Sequence, residues 1–284
     1  MNELVSELPW LWAGLVAYAV ATVMAVYAVA QPDHDGALVV NKFRPFELPV
    51  LGLVAVGVLL LSVALAERWM RIGHGPFVNL FELLVSQLFS LGLIYALVYW
   101  RVPVLRPTAA VVLPIIWVLG LWVLMIEPTD SLFPPTYHNN WLWVHIGFGK
   151  VFLSFCLVGA GLAGIILLRR IERMKAWFSM MPSDAVLDNF AWRFMVLALI
   201  FDSLMLIAGA VWAQDAWGRF WAWDALETSA FLNWLAIALG IHVRFSYRIP
   251  RAVGAAVVVA VFVLAFFTYF GTPFFSEAAH KGVV

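Results

Sequence analysis

The sequence predicts an all-α fold, a polytopic membrane protein built as a bundle of eight transmembrane helices. Hydrophobic residues fill 64% of the 284 positions and charged residues only 12%, whereas soluble domains carry roughly 25% charged residues. Apolar runs of about 20 residues, enough to cross a hydrocarbon layer of about 30 Å, recur along the chain. A soluble core of this size cannot hide so much apolar surface, so the bilayer must serve as the solvent.

The positions of these runs predict the individual helices. They lie near residues 9–30, 48–66, 79–99, 107–126, 142–168, 191–213, 227–243 and 252–271. The connections hold the Pro, Gly and charged residues, as loops outside the hydrocarbon should. The first run lacks a basic leader and a small-residue cleavage site, so we expect it to be retained as a helix. No repeat or soluble segment interrupts the series, which predicts a single transmembrane domain over residues 1–284.

The basic residues predict the orientation of the bundle. Eleven Lys and Arg fall in the odd-numbered connections and four on the opposite side, with Lys150 and Arg193 set aside because they lie within predicted helices. Positive residues collect on the cytoplasmic side of a membrane. Both termini are therefore predicted on the outer side, together with the segments around His74, His145 and His280.

Charge and cysteine content exclude several classes of protein. The formal net charge is zero, which gives no electrostatic case for binding nucleic acid. Cys156 is the single cysteine, so no internal disulfide can form. The chain also lacks a Cys-x-x-Cys-His haem-attachment motif, and it is therefore not itself a c-type cytochrome.

The segment that we call the tryptophan segment, residues 212–228, is the most informative part of the chain. It holds four tryptophans within twelve residues and two carboxylates just behind them, at Trp212, Trp217, Trp221, Trp223, Asp224 and Glu227. A single Trp at this depth is usually an anchor at the membrane interface. A cluster of indoles beside carboxylates instead favours a large planar apolar ligand with polar edges, such as a porphyrin.

This segment resembles a known signature. Trp217-Gly-Arg-Phe-Trp221-Ala-Trp223-Asp224-x-x-Glu227-Thr is similar to the WWD signature of the haem-handling proteins of cytochrome c biogenesis. Among them it most resembles the CcsA (ResC) family, whose relatives include CcmC and CcmF. The usual Gly, Pro-Lys and Trp of that family appear here as Ala222, Ala225-Leu226 and Ser229, which leaves the indoles and carboxylates intact.

Two further segments resemble the same family in the same order along the chain. Gly73-His74-Gly-Pro-x-x-Asn79-Leu-x-Glu82 is similar to its Gly-His-x-Pro-x-x-Asn-x-x-Glu motif, and Asn140-Trp-Leu-x-x-His145 to its Asn-Trp-Leu-x-x-His segment. The eight predicted helices also suit CcsA better than the six of the CcmC branch. The resemblance therefore extends over most of the chain.

The resemblance implies haem as the cofactor or substrate, specifically haem b, and histidines as the axial ligands of its iron. In the family, two outer histidines flank the WWD segment and hold the haem bound there. His145 matches one of them, and His280 matches the other by position, although its neighbours differ from those of the family. On the residues alone, a histidine in a terminal tail is usually only solvated.

His242 matches a third family ligand. It lies about 21 Å along a helix from Thr228, near the predicted inner boundary, where a histidine that reaches into the interfacial water is the ordinary interpretation. The resemblance instead implies a transmembrane haem ligand on the uptake route, with the second ligand supplied by a CcsB (Ccs1/ResB)-like partner subunit. Haem would then pass from His242 toward His145 and His280.

Four other residues carry weaker expectations. Arg219 is the cation within the tryptophan segment and can pair with a haem propionate, with Asp215 or with Asp224. His74 matches a family motif, which fits two roles equally well. It can position the loop over the haem, or it can bind iron. Glu82 and Lys150 lie inside predicted helices, and a mutual ion pair is the simplest arrangement for them.

The expected function is that of a haem-handling subunit of a System II cytochrome c synthase in the bacterial inner membrane. It would export and present haem at the periplasmic face, or at the equivalent thylakoid lumen face. The client would be an apocytochrome c with a Cys-x-x-Cys-His motif. Two alternatives stay open at this point. One is a haem carrier that delivers haem to a separate chaperone, as CcmC does, and the other is a haem-free structural subunit of a membrane complex.

Overall fold

The computed structural model describes residues 6–30, 45–179 and 181–274, and every regular element within these ranges is helical. The longer helices are α1 (Leu8–Ala30), α2 (Glu47–Ile72), α3 (Leu80–Arg101), α4 (Ala109–Val123), α5 (Asn140–Leu168), α7 (Asp184–Trp217), α8 (Ala225–Ser246) and α9 (Arg251–Phe266). A short helix, α6 (Glu172–Lys175), follows α5. A 3₁₀ turn, Pro103–Thr108, leads into α4, and a π-helical turn, Phe267–Gly271, continues α9.

Eight helical segments in the described ranges are long and apolar enough to cross a membrane. They coincide with the eight predicted runs, so the prediction of an all-α bundle of eight transmembrane helices is confirmed. The side of the membrane on which the termini lie stays a prediction.

The chain divides into two compact units. The first comprises the residues up to Phe77, Phe81–Asp130 and Leu168–Ser183, and the second comprises Val78–Leu80, Ser131–Leu167 and the residues from Asp184 onward. Most of α1 to α4 therefore belongs to the first unit, and α5, α7, α8 and α9 belong to the second. The single transmembrane domain predicted for residues 1–284 stays a prediction, and the units are described one at a time.

In the first unit, one aromatic side chain packs between three helices. Tyr18 of α1 is buried, and a Cβ atom added to Gly57 of α2 or Gly92 of α3 would overlap its ring. The Tyr18 hydroxyl lies 3.5 Å from the Leu88 carbonyl of α3. Helices in lipid associate largely through such close contacts at small residues. The two glycines therefore supply the space that lets α1, α2 and α3 approach one another.

A buried arginine connects the helix ends at one side of this unit. Arg68 near the end of α2 is almost completely buried and donates to Glu7 just before α1, at 2.9 Å. It also donates to Glu82 in the first turn of α3, at 2.9 Å and 3.1 Å, and to the carbonyl of Thr129 after α4. Charges are buried only when they are paired and hydrogen-bonded. The predicted pairing of Glu82 with Lys150 stays a prediction.

A second arginine extends this network toward its exposed edge. Arg71 donates to Glu7 at 2.7 Å and to both carboxylate oxygens of Asp130 at 2.8 Å. Burial alone would raise the pKa of the Glu7 carboxyl. Hydrogen bonds from Arg71, from its own backbone and from Arg68 nevertheless hold that pKa below its ordinary value. Glu7 is therefore a fixed negative charge that joins the start of α1 to the end of α2.

In the second unit, a tryptophan takes the corresponding role between three helices. The ring of Trp192 in α7 is buried, and it lies against Gly240 of α8 and Gly254 of α9. At the same end of the unit, Arg244 of α8 donates to the buried Asp188 of α7 at 2.6 Å. These contacts hold α7, α8 and α9 together at the end of the unit that lies opposite the tryptophan segment.

Helix α7 is longer at both ends than the sequence predicts. The apolar run indicates residues 191–213, whereas the helix runs from Asp184 to Trp217, or 34 residues, which corresponds to about 51 Å. Hydropathy detects only the part of a helix that lies in hydrocarbon, and the added turns carry polar residues. Gly218, with φ of 71°, accepts the left-handed conformation that ends the helix, and its N–H donates to the Gln214 carbonyl.

The position of Glu7 predicts a pH dependence of stability. Because its folded pKa is lowered, its contribution is complete above the ordinary carboxyl pKa and is lost as the pH falls through the folded value. Glu7→Gln should therefore lower the stability at pH 7 by about 1–3 kcal/mol, measured as resistance to unfolding in SDS. It should also flatten the loss of stability of the wild type below about pH 4.5.

Glu172→Gln is the matched control, because Glu172 is exposed and forms only a surface pair with Lys175 at 3.6 Å. If Glu7→Gln were as stable as the wild type at pH 7, or lost stability with falling pH in the same way, Glu7 would not connect the helices.

Candidate functional site

The tryptophan segment of the second unit comprises a helix end, a turn and a helix start. Trp212 and Trp217 belong to the last turns of α7, residues 218–224 form the turn, and α8 begins at Ala225. The start of α5, the loop before it and the end of α9 lie at the same end of the unit. The contacts that place them there include the hydrogen bond between Asn139 and Asp215 and the approach of Ser229 to Thr272.

Trp212 is the central buried ring of this end of the unit. Its indole N–H donates to the Thr136 carbonyl at 3.2 Å, and its ring meets Tyr137 edge to face at 5.5 Å. On its other sides it lies 4.9 Å from the ring of Trp217 and stacks on His145 at 5.9 Å and 26°. Trp212 therefore joins the loop before α5, the end of α7 and the histidine of α5.

The imidazole of His145 is fixed against the backbone of α7. Its Nδ1 atom lies 2.9 Å from the carbonyl oxygen of Met205. A carbonyl oxygen only accepts, so Nδ1 must carry the proton, and in a neutral ring the lone pair then lies on Nε2. Metal-binding histidines are commonly oriented by such a bond from the second ring nitrogen.

Gly209 supplies the space in which this histidine lies. A Cβ atom at that position would be 2.7 Å from Nδ1 and 2.9 Å from Cε1 of His145. Gly209 is also one turn after Met205 on the same helix. The two positions thus form one contact surface, in which the glycine admits the ring and the carbonyl orients it.

The turn after α7 contains a residue in an unusual backbone conformation. Trp223 has φ of 60°, in the left-handed region that side chains other than those of Gly and Asn rarely adopt. Its indole is 67% exposed. A conformation that costs of order 1–3 kcal/mol persists only where the surroundings enforce it.

The two carboxylates of the segment enforce that conformation. Asp224 caps α8, and its Oδ1 atom accepts the N–H of Glu227 at 2.8 Å. The Glu227 Oε2 atom turns back and accepts the N–H groups of Ala222 and Trp223, at 2.6 Å and 2.8 Å. This is an extended form of the capping box. Both side chains therefore have a structural task that is sufficient to explain them, and their predicted contact with a cofactor stays a prediction.

The remaining indoles of the turn form a chain of rings along α8. Trp221 and Trp223 meet edge to face at 5.7 Å, and each meets Phe231 at just over 6 Å. Phe231 in turn stacks on Trp234 at 6.1 Å, and the Trp234 N–H donates to the Ser203 hydroxyl of α7 at 2.8 Å. The exposed ring of Trp223 thus lies against half-buried rings.

Arg219 is not paired with Asp215 or Asp224 in the described part of the chain. Within the described ranges it forms no ion pair or hydrogen bond, and its side chain is exposed. Asp215 instead accepts a hydrogen bond from Asn139 at 2.8 Å, and Asp224 caps α8. The Trp221 indole N–H is buried and has no acceptor in the described part of the chain.

The other predicted histidines lie elsewhere. His242 is exposed on α8, 17 residues after Ala225, at the end of the unit opposite His145. His74 belongs to the first unit, where it follows the left-handed Gly73 and its Nδ1 lies 3.1 Å from the Gly75 carbonyl. His280 lies outside the described residues. The iron-ligand roles of all three stay predictions.

Several residues of the site were not predicted from the sequence. Met205 and Gly209 orient His145, and Thr136, Tyr137 and Asn139 hold the end of α7. A glycine inside a long apolar helix costs about 1 kcal/mol relative to alanine. This cost is a signal that could have marked Gly209 as a place of close approach.

The donors at this end of the unit fit a haem. An oriented imidazole is a common axial ligand of haem iron, and His145 holds one in a fixed orientation beside the ring of Trp212. The exposed rings of Trp223 and Phe220 offer apolar faces, and the exposed Arg219 offers a cation for a carboxylate. The chemistry therefore matches a planar apolar group with a metal at its centre and anionic substituents.

Gly209→Ala tests the contact surface for His145. The added methyl group should push the imidazole off α7 and break its bond to Met205, at a cost of roughly 1–3 kcal/mol. The ¹⁵N shifts of labelled histidine should report loss of the Nδ1-protonated tautomer. Gly147→Ala is the control, because a Cβ there meets nothing within 4 Å. Unchanged His145 shifts in Gly209→Ala would contradict the arrangement.

Glu227→Gln tests the closure of the turn. Loss of the charge should weaken the two backbone bonds to Ala222 and Trp223 by about 1–3 kcal/mol in total. Hydrogen exchange at these two amides should then become faster by roughly one to two orders of magnitude. Asp224→Asn is the matched control, because asparagine caps a helix about as well as aspartate. Equal exchange rates in the two variants would exclude the role assigned to Glu227.

Comparison with known proteins places this arrangement in context. The family model described as cytochrome C assembly protein matches residues 77–280. Proteins named cytochrome c biogenesis protein CcsA are similar over most of the chain. The one from Chlamydomonas reinhardtii is 26% identical over 88% of this chain and 74% of its own length, and the one from Trachelium caeruleum is 27% identical over 86% and 88%. The one from Prochlorococcus marinus is 26% identical over 81% and 82%.

A solved structure has the same fold. The chain named Cytochrome c Heme Lyase CcmF aligns with 92% of this chain at a TM-score of 0.67 and 17% identity. The protein spans only 45% of the length of that larger chain. The resemblance seen in the tryptophan segment is thus confirmed over the greater part of the sequence, and the chain belongs to the cytochrome c assembly protein family.

Proposed function

We propose that this protein presents haem at the tryptophan segment for covalent attachment to an apocytochrome c, as a subunit of a System II synthase. The observation that carries the proposal is the His145 imidazole, which is bonded through Nδ1 to the Met205 carbonyl and stacked on Trp212. That bond fixes the orientation of the ring and places its proton on Nδ1, so iron would be bound through Nε2, as in histidine ligands oriented by an outer hydrogen bond.

The surroundings of His145 support haem in particular. Trp217, Trp221 and Trp223 supply the aromatic faces along which a porphyrin lies, and Trp212 keeps the ligand ring in place. Arg219 is exposed and unpaired within the described ranges, so it is suited to bind a propionate. Asp224 and Glu227 contribute by holding the backbone under Trp223. The haem would be haem b, the form that still has its vinyl groups.

The second axial ligand is proposed to be His280. It follows Phe274, the last described residue, by six positions, and six residues span at most about 20 Å. The end of α9 lies at the tryptophan end of the unit, where the Thr272 hydroxyl is 3.4 Å from that of Ser229. A ligand carried on a segment after α9 is therefore within reach of this site.

His242 is proposed to mark the uptake side. It lies on α8 about 25 Å along the helix from Ala225, and its side chain is exposed. Like the CcsA family that it resembles, the protein would take its second ligand at this level from a CcsB-like subunit. His74 is proposed to position the loop that follows α2, since its ring nitrogen is directed at the Gly75 carbonyl.

The protein's own contribution to the reaction is orientation. Each thiol of a Cys-x-x-Cys-His segment would add across one vinyl group, so that sulfur bonds to one vinyl carbon and the hydrogen ends on the other. No atom leaves and no net oxidant is consumed. The histidine of the client would take the place of one of the two histidines, His145 or His280, that would hold the haem. The site would face the periplasm of a bacterial inner membrane, or the thylakoid lumen.

The absorption spectrum of the purified protein tests haem binding. The wild type, expressed with haem available, should show a Soret band. His145→Ala should lose at least about tenfold in haem affinity, and added imidazole should restore the band because it can occupy the vacated ligand position. His138→Ala is the control, since His138 is an exposed histidine in the loop before α5. Absence of a Soret band from the wild type would contradict the proposal.

Coexpression distinguishes a synthase from a carrier. With a CcsB-like subunit and an apocytochrome, the wild type should yield covalent cytochrome, and both His145→Ala and His280→Ala should lose it until imidazole is supplied. If haem binds at the site but reaches the client only through a separate chaperone, the protein is a carrier and not a synthase.

A further inference from the structure

A groove at the end of the second unit opposite the tryptophan segment is not used by the proposed function. It lies between α7 and α8 and has a volume of about 550 Å³. Its polar lining consists of Asn189, Arg193 and Arg244, and its apolar lining includes Val196, Leu197 and Phe245. The groove therefore combines basic side chains with aliphatic and aromatic ones.

The charges of the groove are not balanced. Arg244 is paired with the buried Asp188 at 2.6 Å. Arg193 is exposed, lies 5.4 Å over the ring of Phe190, and has no acidic partner among residues 6–30, 45–179 and 181–274. Two guanidinium groups thus face one carboxylate, which leaves an excess of one positive charge. A ligand with a single negative charge would neutralise it.

The depth of the groove matches the level of lipid headgroups. Arg244 lies 19 residues after Ala225 on α8, or about 28 Å along the helix axis, close to the hydrocarbon thickness of about 30 Å. Since α8 begins at the tryptophan end of the unit, Arg244 lies near the opposite boundary of the membrane. Arg193 lines the same groove and so lies at a similar level.

An apolar stripe continues from the groove along α7. Leu197, Ile200 and Leu204 follow Arg193 at spacings of four, three and four residues, and all three are exposed. These spacings place them on one face of a helix. A guanidinium at one end of an exposed aliphatic stripe complements a phospholipid. The lipid has its phosphate at the membrane boundary and its acyl chains in the hydrocarbon.

We propose that this groove binds the phosphate headgroup of an anionic phospholipid. The planar guanidinium of Arg193 matches two phosphate oxygens, and Arg244 and the Asn189 amide are further donors to the same headgroup. Basic pockets between transmembrane helices are a recognised form of headgroup site. The excess positive charge favours an anionic lipid over a zwitterionic one, which carries its own cation. The proposal does not require that the protein bind haem.

Native mass spectrometry of the purified full chain tests this site. Phosphatidylglycerol should bind with a defined stoichiometry, and Arg193→Gln should weaken that binding about fivefold, the effect of one basic residue near the surface. Arg193→Lys should bind with intermediate affinity, because it keeps the charge but loses the fork. Arg251→Gln is the matched control, since Arg251 is an exposed arginine outside the groove lining.

Two reference ligands distinguish the sources of the phosphate. Phosphatidylcholine and inorganic phosphate, at the same concentration, should each bind more weakly than phosphatidylglycerol. Equal binding of phosphatidylglycerol to the wild type and Arg193→Gln would overturn the proposal. So would equal binding of phosphatidylcholine, or binding of inorganic phosphate alone. Because Arg193 is exposed and forms no hydrogen bond or ion pair within the described chain, Arg193→Gln should keep the thermal midpoint of the wild type, which separates a lost site from a lost fold.

Discussion

Close approach of rings to glycine-bearing helix faces is the constraint on which this structure depends. Lipid offers no hydrophobic drive for helices to associate, so contact distance and hydrogen bonds must supply it. Tyr18 lies against Gly57 and Gly92, Trp192 against Gly240 and Gly254, and His145 against Gly209. In the first two cases the result is only packing. In the third, the same kind of contact holds an imidazole in a fixed orientation.

The sequence was sufficient for the fold because hydropathy is strong in a membrane protein. All eight segments were found from apolar run length, and errors were confined to helix ends. The end of α7 is the instructive case, because Trp217 looks like part of a loop when only hydrophobicity is considered. The helix ends because Gly218 adopts a left-handed conformation. The length of an apolar run does not predict this end.

The candidate site was predicted in its residue types but not in its internal bonds. Spacing and resemblance identified His145 and the tryptophans, yet they could not show that the backbone carbonyl of Met205 orients the imidazole. Any residue would supply that oxygen, so no side-chain signal exists. Asp224 and Glu227 show the converse. They are conspicuous in the sequence, and the structure engages both with backbone N–H groups of their own segment. Arg219, by contrast, is exposed and has no hydrogen bond or ion pair within the described residues.

The length of α7 has a consequence for access to the site. At about 51 Å, it exceeds a hydrocarbon layer of about 30 Å by some 20 Å. Counting from the level of Arg193 and Arg244, the hydrocarbon is crossed after about 20 residues, near Trp212. The last turn of α7 therefore extends beyond the hydrocarbon layer. His145, stacked on Trp212, therefore lies near the boundary between hydrocarbon and water, at a level that ligands from either phase can reach.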